Sequence, residues 1–426
     1  MSERNLDFDT VVNRKNTYSL KYDFALQRGL PEDVLPFWVA DMDFKTSSYV
    51  QDAIRESAEH GIYGYTDTKE DYYEIIKRWM KEQYDWELGS IQWLVKTPGI
   101  VFALGAAIQA YTKPGESVLL QEPVYYPFSE LIQDNGRRLV SNTLIADENR
   151  RYRIDFEDFE KKIVEENVKL FFLCNPHNPG GAVWTKEELI RMGDICLAHN
   201  VIVVSDEIHA DFVWKRKHQV FVNLKKEYQK ITVTCTSPTK TFNLAGLQIS
   251  NIIIPDEGLR QAFKKKVAAC GYSQPNAVGI VACKAAYQYG QEWLAAVRKY
   301  IWENIEYTRE FIEQYLPDVK MFVPEGTYLV WLDFRGTGLD DKEINRRIIH
   351  EAKLWLDAGN IFGDEGIGYQ RINVACPRSV LMEALSRLQR VFNQRNVMLD
   401  RSWRDEDDLI VKDLLIYRSE ELCQAM

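Results

Sequence analysis

The sequence has no long apolar run. No stretch approaches the roughly 20 apolar residues that a membrane-spanning helix needs. The first residues, Met1 to Asp7, do not form an apolar signal segment. The sequence therefore predicts no membrane partner and favours a cytoplasmic location.

An excess of positive charge is also absent. The chain carries 53 Lys and Arg residues against 63 Asp and Glu residues, a net charge of -10. A general affinity for nucleic acid or for anionic membranes therefore has no electrostatic support. This charge balance favours a small-molecule ligand and predicts no nucleic-acid partner.

Closely spaced cysteines are lacking too. The seven cysteines stand singly, at positions 174, 196, 235, 270, 283, 376 and 423, and no CxxC pattern occurs. Most of them fall inside apolar runs, where a cysteine is an ordinary buried residue. We therefore expect reduced core thiols and no metal site.

What the sequence does have is the length and pattern of a two-domain α/β enzyme. Its 426 residues, 46% of them hydrophobic, exceed one ordinary core. Between about residues 100 and 250, apolar strand-like runs alternate with amphipathic helices, which predicts a mostly parallel sheet. We expect a large domain over 46–290 and a smaller α+β domain from 1–45 and 291–394. For the C-terminal extension, 395–426, a packing arm, an interface helix and a solvated tail stay open.

Local signals predict individual elements of the large domain. Short buried strands are expected at Ser117 to Leu120 and at Val168 to Cys174. Thr185 and Glu188 have capping-box spacing, which predicts a helix that continues to His199. The apolar run that follows this helix at once completes a βαβ unit.

Polar clusters follow three predicted strands, at Asn175 to Gly181, Ser205 to His209 and Ser237 to Lys240. The loops after parallel strands are where such sheets bind ligands. A fourth cluster, Thr97 to Val101, opens an apolar helix that runs to about Tyr111, so its free N–H groups could hold a phosphate.

Lys240 and Asp206 are the most informative residues of these clusters. A lysine at the end of a buried strand is costly unless it is paired or neutral, although a lysine that simply leaves for solvent is the commoner case. Asp206 follows an apolar strand and needs a cationic partner or a role as a helix N-cap. Together they fit the lysine that holds the aldehyde of pyridoxal phosphate (PLP) and the acid that pairs with its pyridine nitrogen.

Three sequence motifs resemble those of a known group of enzymes. Asn-Pro-x-Asn-Pro-x-Gly, Ser-Asp-Glu-Ile-His and Ser-x-x-Lys-Thr-Phe-Asn-x-Ala-Gly-Leu occur in order, as in the fold-type I PLP enzymes. The segments Pro36 to Phe44 and Arg371 to Ser379, together with His209, most resemble the PatB/MalY-type C-S β-lyases. The resemblance covers nearly the whole chain and implies a fold-type I PLP transferase-like large domain.

The resemblance assigns roles to individual positions of the sequence. It implies that Lys240 binds the cofactor, that Asp206 contacts the ring nitrogen and that Asn178 reaches the ring 3-oxygen and helps position the substrate carboxylate. Arg371 matches the arginine that binds the substrate α-carboxylate, and Arg378 is either a second contact or purely structural. The other matching positions are the ring-stacking Tyr125 (or Tyr126), His209 near the 3-oxygen, the phosphate contacts Gly99, Ile100, Val101, Ser237 and Thr239, and Tyr65 (or Tyr63), which in this family reaches the phosphate of the neighbouring subunit.

The implied function is a PLP-dependent β-lyase that cleaves cystathionine, cysteine or cysteine S-conjugates to a thiol, pyruvate and ammonia. The contact through Tyr65 implies a homodimer with shared active sites. A class I/II aminotransferase is the alternative enzyme, because the core motifs are shared. His209 and Gln248 stand where aminotransferases usually have a tyrosine and an arginine, which does not exclude transamination. A non-catalytic PLP-binding regulatory protein is a third reading.

Overall fold

The computed structural model describes residues 3, 4 and 6–393. The predicted extension, 395–426, lies outside these residues. Within the described part of the chain, none of the helices has the length and apolar character needed to cross a bilayer.

The strands, in chain order, are β1 (Leu35–Pro36), β2 (Leu94–Thr97), β3 (Ser117–Leu120), β4 (Arg138–Ser141), β5 (Ile145–Ala146), β6 (Tyr152–Arg153), β7 (Val168–Cys174), β8 (Ile202–Asp206), β9 (Thr232–Thr236), β10 (Ser250–Ile253), β11 (Lys320–Phe322), β12 (Leu329–Asp333), β13 (Leu354–Trp355), β14 (Asp357–Ala358) and β15 (Tyr369–Asn373). The helices are α1 (Ser48–His60), α2 (Glu70–Tyr84), α3 (Ile100–Tyr111), α4 (Pro127–Asp134), α5 (Phe156–Glu165), α6 (Lys186–Ala198), α7 (Pro238–Thr241), α8 (Glu257–Ala269), α9 (Ala277–Tyr289), α10 (Gln291–Tyr315), α11 (Asp341–Arg346) and α12 (Arg378–Phe392).

A seven-stranded sheet forms the centre of the molecule, in the order β2-β10-β9-β8-β7-β3-β4. Strand β10 runs antiparallel to both of its neighbours, and the other pairings are parallel. Strands β7, β8 and β9 are almost wholly buried, as expected for parallel strands covered on both faces. The predicted α/β fold with a mostly parallel sheet is confirmed.

The parallel pairing places the ends of three strands side by side. Cys174 at the end of β7 pairs with Asp206 at the end of β8, and Asp206 pairs with Cys235 near the end of β9. The polar loops that follow these strands therefore share one edge of the sheet. Functional side chains are expected at this edge.

A second sheet of four antiparallel strands lies later in the chain, in the order β11-β12-β15-β14. Aromatic side chains pack on it, and the rings of Trp331 and Tyr369 stack at 5.0 Å. Strand β1 pairs in parallel with β13, so a segment near the N-terminus adds to this later part of the chain. The domain boundaries at residues 45, 290 and 394 stay a prediction.

Local sequence signals correctly predicted several of the elements that position the site. The strands at Ser117 and Val168 have the predicted bounds, and Thr185 and Glu188 form the expected reciprocal capping box at the start of α6. Helix α3 begins at Ile100, within the predicted cluster Thr97 to Val101, and ends at Tyr111 as expected.

Candidate active site

A cavity of about 160 Å³ opens at the carboxyl ends of the parallel strands. The sequence-predicted residues that line it are Gly99, Ile100, Val101, Tyr125, Asn178, Asp206, His209, Thr239 and Lys240. Five separate loops meet here because the sheet brings their strands together. The topology thus gathers residues that are far apart in the sequence around one space.

Lys240 enters the cavity from α7, a single helical turn that follows β9. Ser237 caps this turn, since its hydroxyl accepts a hydrogen bond from Thr239 N, and Pro238 suits the first helical position. The Lys240 amine donates to the carbonyl oxygen of Ala40 at 2.7 Å. Burial lowers the pKa of Lys240 to about 8, because the charged form loses its hydration. Such an amine is neutral, and therefore nucleophilic, in a useful fraction near neutral pH.

The carbonyl of Ala40, which accepts the hydrogen bond from the Lys240 amine, belongs to the N-terminal segment. The hydroxyl of Tyr328 also donates to the carbonyl of Ala40, at 3.0 Å. The neighbouring Asp41 is bonded to Arg14 at 2.6 Å and lies 3.6 Å from the Lys21 ammonium. Although burial acts to raise the pKa of Asp41, these two cations outweigh burial and lower it. A carboxylate therefore stands near Lys240 and favours the charged form of its amine.

Asp206 lies at the floor of the cavity and is 6% exposed. Its carboxylate accepts one hydrogen bond, from Ile208 N at 3.1 Å. Burial raises the pKa of Asp206 to about 7, far above that of an ordinary carboxyl group. A cation placed beside this carboxylate would restore its charge, so the site fits a protonated ring nitrogen.

Arg371 does not itself line the cavity but bonds to Asn178, which lines it together with Tyr125. One terminal nitrogen of the Arg371 guanidinium donates to Asn178 Oδ1 at 2.9 Å, and the other donates to the carbonyl of Trp38 at 2.8 Å. The second nitrogen also bonds to the buried carboxylate of Asp357. Among the residues that the structure describes, Arg371 Nε has no partner. The guanidinium fork of Arg371 is therefore held in a fixed orientation, and its Nε–H is still available as a donor for a carboxylate.

The start of α3 leaves backbone donors free. Gly99 is the N-cap residue and no side chain caps this end of the helix. A Cβ built on Gly99 would meet no atom within 4 Å, so space is open next to these N–H groups. An anion such as a phosphate is favoured there by the helix dipole.

Two hydroxyls belong to the turn that carries Lys240. Thr239 Oγ1 and Ser237 Oγ are 2.8 Å apart, and Ser237 also donates to the carbonyl of Ile249 at 2.7 Å. Thr239 lines the cavity, whereas Ser237 lies behind it and fixes the turn. Ser237 is thus placed to support the phosphate site, with Thr239 closer to it.

His209 and Tyr125 line the cavity on different sides. Burial lowers the pKa of His209 well below its ordinary value, so the ring is neutral, and the charge of Lys240 adds to this effect. In the described part of the chain His209 Nδ1 has no hydrogen-bond partner. Tyr125 is part of the lining, and Tyr126 is not; Tyr126 instead packs edge-on against Phe362 at 5.9 Å. This geometry favours Tyr125 over its neighbour as the aromatic contact.

Comparison with known proteins decides the family. The sequence model described as aminotransferase class I and II matches residues 32–388 of this chain. The chain belongs to that family. Cystathionine beta-lyase PatB of Bacillus subtilis (strain 168) is 40% identical over 385 residues, which cover 90% of this chain and 99% of that protein.

Solved structures of this aminotransferase class I and II family match as well. Cystalysin from Treponema denticola, a structure that contains pyridoxal 5'-phosphate, has a TM-score of 0.87 at 37% identity, covering 90% of this chain and 98% of that one. A PLP-bound C-S lyase from Staphylococcus hominis has a TM-score of 0.85 at 33% identity, covering 91% and 98%. The resemblance drawn from the motifs is confirmed.

Two of the positions matched to the family lie away from the cavity. Tyr65 is 96% exposed and borders a separate groove with Gln248, next to Pro98, which lines both spaces. Its predicted contact is with a neighbouring subunit and stays a prediction. Arg378 bonds to Asn304 Oδ1 at 2.6 Å and lies over the ring of Tyr307, which favours the structural alternative.

Sequence reasoning did not assign four residues that hold the site. The carbonyl of Ala40 accepts hydrogen bonds from Lys240 and from the hydroxyl of Tyr328, and Asp41 supplies a nearby charge. Asp357 binds Arg371. Ala40 and Asp41 lie within the segment that carried the family resemblance, so their position was signalled but not their role. No local signal marks Asp357, because it meets Arg371 only through strand pairing.

Proposed function

We infer that this protein is a PLP-dependent carbon–sulfur β-lyase that cleaves cystathionine, cysteine or cysteine S-conjugates to a thiol, pyruvate and ammonia. The observation that carries this inference is that Lys240 and Asp206 line one small cavity, and that Arg371 bonds to a third residue of its lining, Asn178. The proteins similar to this chain include a cystathionine β-lyase and a C-S lyase. The amine, the acid and the carboxylate-binding fork are the three groups that this reaction needs.

The residues of the cavity fit PLP. Lys240 would bind its aldehyde, Asp206 would face the ring nitrogen, and Asn178 with His209 would border the ring 3-oxygen. The open start of α3, with Thr239, would hold the phosphate. When bound, PLP supplies an aldehyde for the substrate amine and a ring that stores the electrons left by a departing proton.

The protein's own groups then orient the substrate and move one proton. Arg371 would bind the α-carboxylate, and this contact would turn the Cα–H bond toward Lys240. Once its amine is free, Lys240 is the general base, since burial has already lowered its pKa to about 8. The carbonyl of Ala40, 2.7 Å away, would steady the ammonium that forms. Loss of thiolate from the β-carbon follows more easily when that proton is not returned.

Transamination is the alternative, because the family to which the chain belongs is described as aminotransferase class I and II. The two reactions share proton removal by the lysine and differ in where the proton goes next. A regulatory protein without turnover is the less favoured reading, because Lys240, Asp206 and Arg371 are all present and placed together.

The test is incubation of the holoenzyme with cystathionine in the absence of any keto acid. A lyase releases pyruvate and free thiol in equal amounts, and the matched variant Lys240→Ala releases neither. Turnover that requires an added keto acid would instead identify an aminotransferase. Protein that shows no absorbance of bound cofactor and no response to amino acids would support the regulatory reading.

We also propose a homodimer in which Tyr65 of each subunit reaches the active site of the other. The exposed position of Tyr65 beside Pro98, a residue of the cavity wall, supports this arrangement. The cytoplasmic location expected from the sequence stays a prediction.

A further inference from the structure

The guanidinium of Arg28, near the N-terminus, stacks on aromatic rings. The Arg28 guanidinium lies over the ring of Trp38 at 4.6 Å and near that of Trp355 at 5.7 Å. These two indoles are stacked on each other at 4.4 Å, with an interplanar angle of 14°. Within residues 3, 4 and 6–393, the Arg28 side chain forms neither an ion pair nor a hydrogen bond. The stack orients the guanidinium and leaves its N–H donors free.

The residue on which this unpaired charge stacks, Trp38, also contacts the arginine that would bind the substrate α-carboxylate. The carbonyl of Trp38 accepts a hydrogen bond from Arg371 at 2.8 Å, so the indole under Arg28 belongs to the residue that holds the fork. Burial raises the pKa of both Asp357 and Tyr126, and in each case the charge of Arg28 opposes that rise. Arg28 therefore acts electrostatically on two residues that border Arg371.

The carboxylate of Asp357, on which the charge of Arg28 acts, does not form an ion pair with Arg28. Asp357 is 5% exposed and is already bonded to Arg371. Arg28 itself is exposed, so a ligand can reach it. Two guanidinium groups, one buried and one at the surface, consequently act on both Asp357 and Tyr126. Among the described residues, only the buried one has a carboxylate partner.

We propose that Arg28 is a specificity-determining residue that binds a second carboxylate, at the far end of the substrate side chain. This inference rests on the proposed lyase function and names its substrate class: cysteine S-conjugates whose sulfur substituent ends in a carboxylate. Cystathionine is one of them. The buried fork would take the α-carboxylate, and the stacked guanidinium would take the distal one.

If Arg28 had a purely structural role and only covered the two indoles, a different result would be expected. Replacing Arg28 would then affect every substrate alike, because the indole of Trp38 and the carbonyl that holds Arg371 belong to one residue. A binding role affects only substrates that carry the distal charge. The difference between substrates, rather than the loss itself, is therefore the decisive measurement.

The experiment compares pyruvate release from cystathionine, S-(2-carboxyethyl)cysteine and S-propylcysteine by the holoenzyme. In Arg28→Gln, KM for the two carboxylate substrates should rise about fivefold, as expected for one partly exposed ion pair, with kcat unchanged. S-propylcysteine should react as in the wild type. Added salt should reduce the wild-type preference, because exposed charges are screened.

Arg191 provides the matched control. It is exposed and lies over the ring of Phe156 at 4.3 Å, without an ion pair to any described residue and outside the cavity. Arg191→Gln should leave all three substrates unchanged. Arg28→Glu should reverse the preference, favouring S-(2-aminoethyl)cysteine over S-(2-carboxyethyl)cysteine.

Equal KM increases for the charged and uncharged substrates in Arg28→Gln would overturn the inference, and so would no increase for any of them. These results leave the lyase function intact, because pyruvate is still released. If the wild-type holoenzyme releases no pyruvate from any substrate, the proposed function fails and this inference fails with it.

Discussion

Asp357 and Arg371 stand opposite each other on the antiparallel strands β14 and β15 and form an ion pair whose side chains are only 6% and 3% exposed. Burial raises the pKa of Asp357, and the guanidinium of Arg371 works against that rise. In a buried ion pair, the attraction between the two charges largely compensates for their lost hydration. Removing one partner therefore destabilises a protein more than replacing both partners by apolar residues.

Replacing Asp357 by alanine should therefore destabilise the protein and weaken substrate binding together. An unpaired buried guanidinium costs about 3–5 kcal/mol, which urea denaturation can measure as a fall in the free energy of unfolding. Asp357→Asn retains a hydrogen-bond acceptor and should lose less. Wild-type stability in Asp357→Ala would show that the pair contributes little.

The amine of Lys240 should react with aldehydes at lower pH than an ordinary lysine. Because burial lowers its pKa to about 8, the neutral amine dominates above that pH, whereas an unperturbed lysine stays charged up to 10.5. Capture of PLP by the apoenzyme should accelerate as pH rises toward 8 and level off above it.

Rapid-mixing absorbance measures this capture. Dividing each rate by that for Nα-acetyllysine under the same conditions removes the ionisation of the cofactor itself, and Lys240→Ala supplies the background. Because the free amine continues to lose its proton up to about pH 10.5, this quotient should be constant below about pH 8 and fall above it. A quotient that stays constant up to about pH 10 would mean that Lys240 is not desolvated.

Hybrid dimers should test whether Tyr65 serves the neighbouring subunit. Lys240→Ala and Tyr65→Phe homodimers are each expected to be impaired, because every site lacks one contact. A hybrid of the two has one intact site and one site that carries both changes. Random assembly should then restore about a quarter of wild-type activity.

Two affinity tags isolate the hybrid for assay. Recovery of activity in the hybrid supports a shared site. Hybrids that form but stay as impaired as their parents would place Tyr65 in its own subunit's site or outside both.

Two helical glycines should respond in opposite ways to alanine. In α6, a Cβ on Gly193 would lie 2.4 Å from a ring carbon of Tyr228, which is too close for real atoms. In α3, a Cβ on Gly105 would meet Leu131 at 3.6 Å, an ordinary contact. Gly193→Ala should therefore lower stability by about 1–3 kcal/mol through overpacking.

Gly105→Ala should raise stability by up to about 1 kcal/mol, because alanine favours the helix more than glycine does. Thermal unfolding of the two variants beside the wild type makes the comparison. Stabilisation of both would mean that Tyr228 moves aside without cost.

Local patterns were sufficient for the elements that carry the site. The capping box at Thr185 and the buried strand ending at Cys174 are short-range features, and each has the bounds that its residues predict. Asp206 and Lys240 could be located because each follows such a strand. Parallel pairing then brings their loops together by a general rule of α/β sheets.

Contacts between distant segments were not predictable in this way. Lys240 donates to Ala40 across 200 residues, and no periodicity or spacing marks a backbone carbonyl as an acceptor. In the sequence, nothing distinguishes Asp357 from other acidic residues. Its contact with Arg371 follows only from the pairing of β14 with β15. Arg28 likewise becomes informative only when the two tryptophans beneath it are seen to stack.

The hydrogen bond from Arg371 to the carbonyl of Trp38 joins residues 333 positions apart. During synthesis, Trp38 leaves the ribosome long before Arg371 has been made. The contact between them can therefore form only after the segments that separate them have been made. A chain that already has Lys240 and Asp206 but not yet Arg371 consequently lacks the residue that would bind the substrate α-carboxylate.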